Sequence, residues 1–119
     1  LTLGDLSVRR DWGWAPEYVV AMHRMLQLET VEDLVIATGH TASLEEFVAE
    51  AFAAVGLDWR RHVRHDATLT RPSEIHSGQA DPSRAAERLG WRARFRMPDV
   101  VRMMVAARRE QAAVDRRAA

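Results

Sequence analysis

Two arginines and an aspartate near the start of the chain, Arg9-Arg10-Asp11, have the chemistry of an anion anchor. A guanidinium presents a planar fork of N–H donors that binds phosphate oxygens in pairs, so an arginine held on a strand beside a turn can anchor a diphosphate. The alternative is that both arginines are solvated or paired with Asp11 or Glu17. Spacing alone favours this alternative, because surface ion pairs are common.

A second arginine motif, Arg71-Pro72-Ser73-Glu74, lies in the later half of the chain. The proline ring fixes the backbone beside the arginine, and the Glu74 carboxylate can accept hydrogen bonds from ribose or sugar hydroxyls. The competing interpretation is a surface loop with an exposed ion pair. The motif on its own favours that interpretation.

The histidines and tryptophans offer weaker candidates. His62 and His65 are three residues apart, but the surrounding pattern is not helical and no further ligands are identified, so a metal site is disfavoured. We predict His23 to be a partly buried packing residue of a helix. Only Trp12, beside Arg10, is a candidate for stacking on a ligand, and the other three tryptophans are predicted to pack.

The chain contains no lysine, and all seventeen basic side chains are arginines. A Tyr-x-x-x-Lys pair, in which the lysine lowers the tyrosine pKa so that it can act as a base, therefore cannot be written in this sequence. The single tyrosine, Tyr18, is predicted to be a core residue. The glycines form no G-x-G-x-x-G motif for a dinucleotide. We assign no catalytic, cofactor-binding or metal-binding residue.

The hydrophobic pattern predicts an α/β chain, mainly helical with a few short strands, that positions these candidates. A short strand and turn run from Leu3 to Trp12. The pattern then predicts a helix from Pro16 to about Leu28, a buried strand over Asp33–Ala37, and a helix that begins at a Ser43/Glu46 capping box and stops at Gly56. The apolar face of the first helix is formed by Tyr18, Val19, Met22, Met25 and Leu26.

The second half of the chain is more polar. A short strand is predicted around His62–His65, followed by an extended segment through Arg71-Pro72. A helix starts at Asp81-Pro82 and ends at Gly90, with Trp91 closing over its end. A last helix begins near Pro98, carries Val100, Val101, Met104 and Val105 on its apolar side, and frays from Gln111.

Composition limits the function classes. A length of 119 residues fits one domain, and seventeen acidic residues balance seventeen basic ones, which disfavours a general nucleic-acid binder. No cysteine is present and no apolar run approaches a membrane span, so we expect a cytoplasmic protein with no membrane association. The first residue is leucine, and we expect a fragment or truncated product of a longer protein.

Several motifs occur together in one order and spacing. They are Leu3-Gly4-Asp5-Leu6, Arg10-Asp11-Trp12-Gly13, Glu17-Tyr18-Val19, Ile36-Ala37-Thr38-Gly39, Arg71-Pro72-Ser73-Glu74-Ile75 and Leu89-Gly90-Trp91. From Leu1 to about Arg109 the chain resembles the C-terminal portion of the GDP-mannose 4,6-dehydratases, which are extended short-chain dehydrogenase/reductases of the NAD-dependent epimerase/dehydratase family. Leu-Gly-Trp alone is a weak signal, whereas Arg-Asp-Trp-Gly followed by Arg-Pro-x-Glu points to the GDP-mannose branch.

The resemblance implies a function. Residues 1–119 would be a single substrate-binding portion, without the N-terminal Rossmann domain that holds NADP and the catalytic residues. It implies that Arg10 and Arg71 contact the diphosphate of GDP-mannose and that Glu74 helps to fix the ribose, while Arg9 is a surface residue. The parent enzyme would be a lyase that converts GDP-mannose to GDP-4-keto-6-deoxymannose, toward GDP-fucose or GDP-rhamnose. The resemblance implies no cofactor bound by this chain alone.

Three departures from the family pattern are Asp5, His40 and Gln79-Ala80-Asp81, and they concern fine contacts. Two other functions remain open: part of another nucleotide-sugar epimerase or reductase, and a non-catalytic interaction module that keeps the fold. Because such helices pack partly against a Rossmann half, we expect exposed apolar surface here. The chain would then self-associate as a homo-oligomer or pair with a Rossmann half.

Overall fold

The computed structural model describes residues 1–71 and 73–118. Its elements in chain order are β1 (Thr2–Leu3), β2 (Arg9–Asp11), α1 (Ala15–Met25), β3 (Thr41–Ser43), α2 (Leu44–Ala53), β4 (Arg64–His65), α3 (Ser83–Leu89) and α4 (Met97–Ala118), with 3-10 turns at Trp59–Arg61 and Ala67–Leu69. Four helices and four very short strands confirm the prediction of an α/β chain that is mainly helical.

The strands form two small pairs. Parallel β1 and β4 place Thr2 opposite Arg64, and antiparallel β2 and β3 place Arg10 opposite Ala42. The other edge of β2 is also occupied, because the Arg9 N–H donates to the His76 carbonyl at 2.7 Å and the Gly78 N–H donates to the Arg9 carbonyl at 3.2 Å. The segment that follows Glu74 is thereby held against β2.

Two helix starts follow the sequence signals closely. Ser43 and Glu46 form the predicted capping box at α2, with the Glu46 N–H donating to Ser43 Oγ at 3.1 Å and the Ser43 N–H donating to Glu46 Oε2 at 2.6 Å. Helix α1 has Pro16 in its first turn, where the missing N–H costs nothing. Its last residue is Met25, three short of the predicted end.

Helix α3 ends at Gly90, whose left-handed backbone (φ 59°) suits glycine. The Asp81 carboxylate accepts from the Ser83 N–H at 2.9 Å, but the N-cap residue of α3 is Pro82, so the prediction of an aspartate N-cap was wrong by one residue. Helix α4 begins near Pro98, but it continues to Ala118, so the prediction of fraying from Gln111 was wrong. Alanine and arginine are both strong helix formers, which explains the continuation.

The core is small. Helices α2 and α4 pack together around Val48, Val100 and Val101, and the Arg102–Glu50 ion pair of 2.7 Å links them at the surface. Helices α1 and α3 meet through Ala21 and Ala85, which are completely buried and allow close approach. The other buried apolar residues are Ala37, Trp91 and Met97. Val105 is half-buried and Met104 is exposed, so the prediction that Met104 lies on the buried apolar side of the last helix was wrong.

The buried face of α1 is not the apolar face predicted from sequence. The helix buries Glu17 and Ala21 and half-buries Tyr18 and Met25. The apolar residues on its other side are exposed: Val19 (61%), Met22 (56%) and Leu26 (82%). His23 is also exposed, so its predicted partial burial was wrong. The residues that face the core recur at positions 17, 21 and 25, which excludes position 23.

The predicted strand over Asp33–Ala37 does not form. This segment is irregular, pairs with no other segment of the described chain, and leaves Val35 52% exposed. Its two ends are fixed by side chains instead. Glu32 forms ion pairs with Arg84 and Arg88 of α3. At the other end, the Asp11 carboxylate accepts from the Thr38 and Gly39 N–H groups.

The molecule is flat and open, with extents of 52 × 43 × 21 Å and a radius of gyration of 17.6 Å. A compact domain of this length has a radius of gyration of roughly 13–14 Å. The accessible surface is 8681 Å², whereas a compact monomer of this mass exposes roughly 6,500 Å². Exposed apolar side chains, which the family resemblance predicted, include Val31 (96%), Leu26 (82%) and Ile75 (68%). No described helix is long and apolar enough to cross a membrane.

Candidate functional site

The three predicted binding residues, Arg10, Arg71 and Glu74, line one cavity of about 300 Å³, which we call the Arg10 cavity. Strand β2 supplies Arg10. Glu74 comes from the segment just before His76–Gly78, which pairs with the edge of β2 opposite β3. Pro72, between the other two residues, lies outside the described residues. The remaining lining residues are Gly4, Asp5, Val8, Trp12, Leu44, Leu69 and Thr70.

Arg10 is held by three hydrogen bonds. Its Nη1 donates to the carbonyls of Arg9 at 2.8 Å and Ile75 at 2.7 Å, and its Nη2 donates to Glu74 Oε1 at 2.6 Å. A guanidinium has five N–H donors, so two remain for a ligand. The alternative pairing of Arg10 with Asp11 or Glu17 was wrong. The ion pair with Glu74 fixes the position of both side chains.

Glu74 and Arg71 remain available to a ligand. Glu74 is bound by Arg10 through Oε1, and its Oε2 has no hydrogen-bond partner within the described chain. The exposed guanidinium of Arg71 makes no ion pair or hydrogen bond with the described residues. The cavity therefore offers one unpaired cation, one fixed cation and one open carboxylate oxygen. These groups suit a phosphate and a hydroxyl.

Asp5 adds a negative charge to the same cavity. It accepts from the Ser7 N–H at 2.8 Å and the Ser7 hydroxyl at 2.6 Å, and these bonds hold the pKa of its carboxyl below the usual value. The nearest histidine is His76, whose Nδ1 lies 3.7 Å from Asp5 Oδ2. Asp5 is therefore ionised at neutral pH and opposes the binding of an anion.

Asp11 has a structural function that the sequence analysis did not predict. Its Oδ1 accepts from the Thr38 N–H at 3.0 Å and the Thr38 hydroxyl at 2.8 Å, and its Oδ2 accepts from the Gly39 N–H at 2.8 Å. Gly39 has a positive φ of 76°, a conformation that favours glycine. One carboxylate thus fixes the Thr38-Gly39 turn beside β2.

Trp12 and Gly13 complete the motif. The Trp12 ring packs on Phe47 of α2 with ring centroids 4.6 Å apart, and its Nε1 donates to the Ala42 carbonyl at 3.4 Å. Trp12 also lines the Arg10 cavity, as its position beside Arg10 predicted. Gly13 gives room to Tyr18, because a Cβ at Gly13 would lie 2.0 Å from the tyrosine hydroxyl.

A profile model of the GDP-mannose 4,6-dehydratase family matches residues 1–104. The chain belongs to this family. The chain is 42% identical to GDP-mannose 4,6 dehydratase 1 of Arabidopsis thaliana over 105 residues, covering 88% of this chain and 29% of that protein. It is 37% identical to the human GDP-mannose 4,6 dehydratase, covering 89% of this chain and 33% of that protein. The chain therefore spans about a third of the length of these relatives.

The fold resembles part of a solved epimerase structure. The UDP-glucose-4-epimerase of Stenotrophomonas maltophila, solved with NAD and formylated UDP-arabinopyranose, superposes with a TM-score of 0.75 at 22% identity, covering 91% of this chain and 32% of that one. At this identity the likeness establishes the fold alone. The chain therefore has the fold of the matched third of that epimerase.

In this GDP-mannose 4,6-dehydratase family member, two polar residues of α1 bind the backbone at the end of α3 and between α3 and α4, away from the Arg10 cavity. Glu17 is buried, and its carboxylate accepts from the Arg94 N–H at 3.1 Å and the Phe95 N–H at 3.1 Å. Arg24 donates to the Leu89 carbonyl at 3.1 Å and so satisfies the end of α3. Glu17 belongs to the family motif Glu17-Tyr18-Val19, but the motif did not indicate that its carboxylate binds backbone N–H groups.

The remaining candidates are structural. His62 stacks on Phe52 with ring centroids 5.6 Å apart, and His65 pairs with Leu3 in the parallel strands. Within residues 1–71 and 73–118, no three histidine, aspartate or glutamate side chains are grouped to hold a metal ion. Arg9 is exposed, as predicted, and its Nη1 lies 3.6 Å from Glu46 Oε2.

Proposed function

We propose that this chain is the sugar-nucleotide-binding portion of a GDP-mannose 4,6-dehydratase and that the Arg10 cavity binds the diphosphate and ribose of GDP-mannose. In the longer protein the reaction is the NADP-dependent conversion of GDP-mannose to GDP-4-keto-6-deoxymannose, a lyase reaction. We further propose that residues 1–119 form one unit of that protein and that its Rossmann portion carries the catalytic residues. A cytoplasmic setting stays a prediction.

The observation that carries the proposal is the meeting of two distant arginine motifs in one cavity. Arg71 presents to a phosphate a guanidinium that has no partner among the described residues, and Arg10 has two N–H donors remaining. The open Oε2 of Glu74 is suited to a ribose hydroxyl. These are the roles that the family resemblance implies, and each side chain has an unused donor or acceptor for its role.

The residues of this chain do not fit NADP. A dinucleotide site in a Rossmann fold uses a glycine-rich turn between a parallel strand and a helix N-terminus. The only parallel ladder between described strands joins β1 and β4, two residues each, and the six glycines of the sequence form no such motif. We therefore assign NADP to the longer protein and derive no step that uses it here.

Titration calorimetry with GDP-mannose and with UDP-glucose tests the proposal. We expect GDP-mannose to bind more tightly, although weakly in absolute terms because only part of the cleft is present. Arg71→Ala should weaken binding roughly 10- to 100-fold, the value of one charge-assisted hydrogen bond of about 1.5–3 kcal/mol. Arg64→Ala, which removes the same charge from exposed β4, should leave the affinity nearly unchanged.

Asp5→Asn provides a test of opposite sign. Removing the negative charge of Asp5 should strengthen the binding of a diphosphate several-fold, whereas Arg71→Ala weakens it. If both nucleotide sugars bind equally and neither Arg10→Ala nor Arg71→Ala changes the affinity, the Arg10 cavity is not the substrate site.

A further inference from the structure

A second cavity, of about 160 Å³, lies between the Thr38-Gly39 turn, the start of α3 and the segment that leads into α4. We call it the His40 cavity. It shares no lining residue with the Arg10 cavity. Its walls are formed by Ala37, Thr38, His40, Pro82, Ala86, Trp91, Arg92, Ala93 and Arg96. His40 is one of the three positions where the sequence departs from the family pattern.

The ionisable residues that line this cavity are all basic. They are His40, Arg92 and Arg96, and no carboxylate is among the lining residues. Neither arginine side chain forms an ion pair or hydrogen bond with the residues that the structure describes. Arg92 stands between this cavity and another of about 330 Å³ beside α1.

The nearby carboxylates are already engaged by other groups. Asp11 binds Thr38 and Gly39, and Asp81 binds the N–H and hydroxyl of Ser83. Asp99 accepts from the Arg96 backbone N–H at 3.1 Å. Asp99 also lies 3.8 Å from the Arg102 guanidinium. Bonds from neutral N–H and O–H groups leave these carboxylates charged, but none of the three forms an ion pair with the Arg92 or Arg96 side chain within the described residues.

We propose that the His40 cavity is a binding site for one phosphate group, either free or as a small phosphate monoester. His40, Arg92 and Arg96 line the same recess as the buried Trp91, so an imidazole and two guanidinium groups border one small cavity. Arginine forks match the oxygen geometry of phosphate, and a doubly charged group gains most from two cations. The volume lies below the roughly 300 Å³ of pockets for drug-sized ligands, so a whole nucleotide does not fit.

NMR titration of the ¹⁵N-labelled chain tests the site. Sodium phosphate is added at constant ionic strength, with sodium chloride as the reference, while the amide signals and the Arg92 and Arg96 Nε–H signals are followed. We expect saturable shifts at His40, Arg92 and Arg96 with phosphate and none that saturate with chloride. Arg96→Gln should weaken phosphate binding at least roughly tenfold, the value of one charge-assisted hydrogen bond.

The matched control is Arg64→Gln, which removes the same charge from exposed β4, outside the His40 cavity. Equal effects of Arg96→Gln and Arg64→Gln, shifts that grow linearly with phosphate, or shifts centred on Arg71 would each overturn the proposal. Glycerol 3-phosphate is titrated in parallel. Tighter binding of the ester than of inorganic phosphate identifies a monoester as the ligand, and equal binding identifies free phosphate. Because Arg71→Ala leaves this cavity intact, failure of the proposed function is detected separately.

Discussion

Gly13→Ala should be a destabilising substitution out of proportion to its size. A Cβ at this position would lie 2.0 Å from the Tyr18 hydroxyl oxygen, 2.2 Å from Cζ and 2.6 Å from Cε1, whereas ordinary van der Waals contact begins at 3.4 Å. The tyrosine ring must therefore move by more than 1 Å. The ring is held by Trp91, with centroids 5.9 Å apart and an edge-to-face geometry.

The expected magnitude follows from these contacts. Overpacking a well-ordered site costs about 1–3 kcal/mol, and losing an aromatic pair adds about 0.5–1.5 kcal/mol. We expect Gly13→Ala to lower the free energy of unfolding by about 2–3 kcal/mol, which lowers the melting temperature by roughly 10 °C at about 4 °C per kcal/mol. Urea denaturation followed by far-UV circular dichroism measures this difference. Gly78→Ala is the matched control, since a Cβ there meets nothing within 4 Å.

A double-mutant cycle then identifies the cause. Tyr18→Phe should not rescue Gly13→Ala, because the ring carbons clash as well as the hydroxyl. Tyr18→Ala removes the ring, so adding Gly13→Ala to it should cost almost nothing, which corresponds to a coupling energy of about 2 kcal/mol or more. A clash between a Cβ at position 13 and the Tyr18 ring is refuted if Gly13→Ala lowers the free energy of unfolding no more than Gly78→Ala does. It is also refuted if the free-energy losses of Gly13→Ala and Tyr18→Ala are additive.

Three further predictions concern stability and association. Burial, with the Asp11 carboxylate nearby, raises the pKa of Tyr18 from 10.0 to about 12. Because the neutral form is favoured in the folded state, the free energy of unfolding should fall as the pH rises from about 10 towards 12. Tyr18→Phe should reduce this loss in denaturation measured at alkaline pH. Ser43→Ala removes the capping box of α2 and should lower the free energy of unfolding by about 1 kcal/mol in urea denaturation, whereas Ser73→Ala should be neutral. The chain should self-associate in sedimentation experiments. The double substitution Val19→Gln, Met22→Gln should reduce that association more than Val114→Gln does. A monomer at all protein concentrations would contradict the predicted association.

Local sequence signals predicted the parts of the fold that depend on local chemistry. The capping box at Ser43, the glycine end of α3 at Gly90 and the proline start of α1 depend on residues close together in the chain, and all three formed where expected. The strand over Asp33–Ala37 failed because a strand requires a partner segment, and composition does not show whether one lies alongside.

Helix α1 shows the second limit of sequence reasoning. The pattern of apolar residues predicted one face made of Tyr18, Val19, Met22, Met25 and Leu26, of which Tyr18 and Met25 are half-buried. Val19, Met22 and Leu26 share the other side of the helix. That side is exposed, while the buried side carries Glu17, whose carboxylate binds backbone N–H groups. A buried glutamate that binds distant backbone cannot be predicted from periodicity, because its partners are 77 and 78 residues away.

The Arg-Asp-Trp-Gly motif combines one arginine that lines the Arg10 cavity with three residues that connect β2 to its neighbours. Arg10 reaches the cavity, Asp11 fixes the Thr38-Gly39 turn, Trp12 packs β2 against α2, and Gly13 admits the ring at the start of α1. Each neighbour ties β2 to a different element, so the strand needs only three residues to be rigid. Without these contacts, an arginine on so short a strand would have to be ordered on ligand binding, at a cost in conformational entropy. The motif therefore fixes the position of Arg10 as well as supplying its charge.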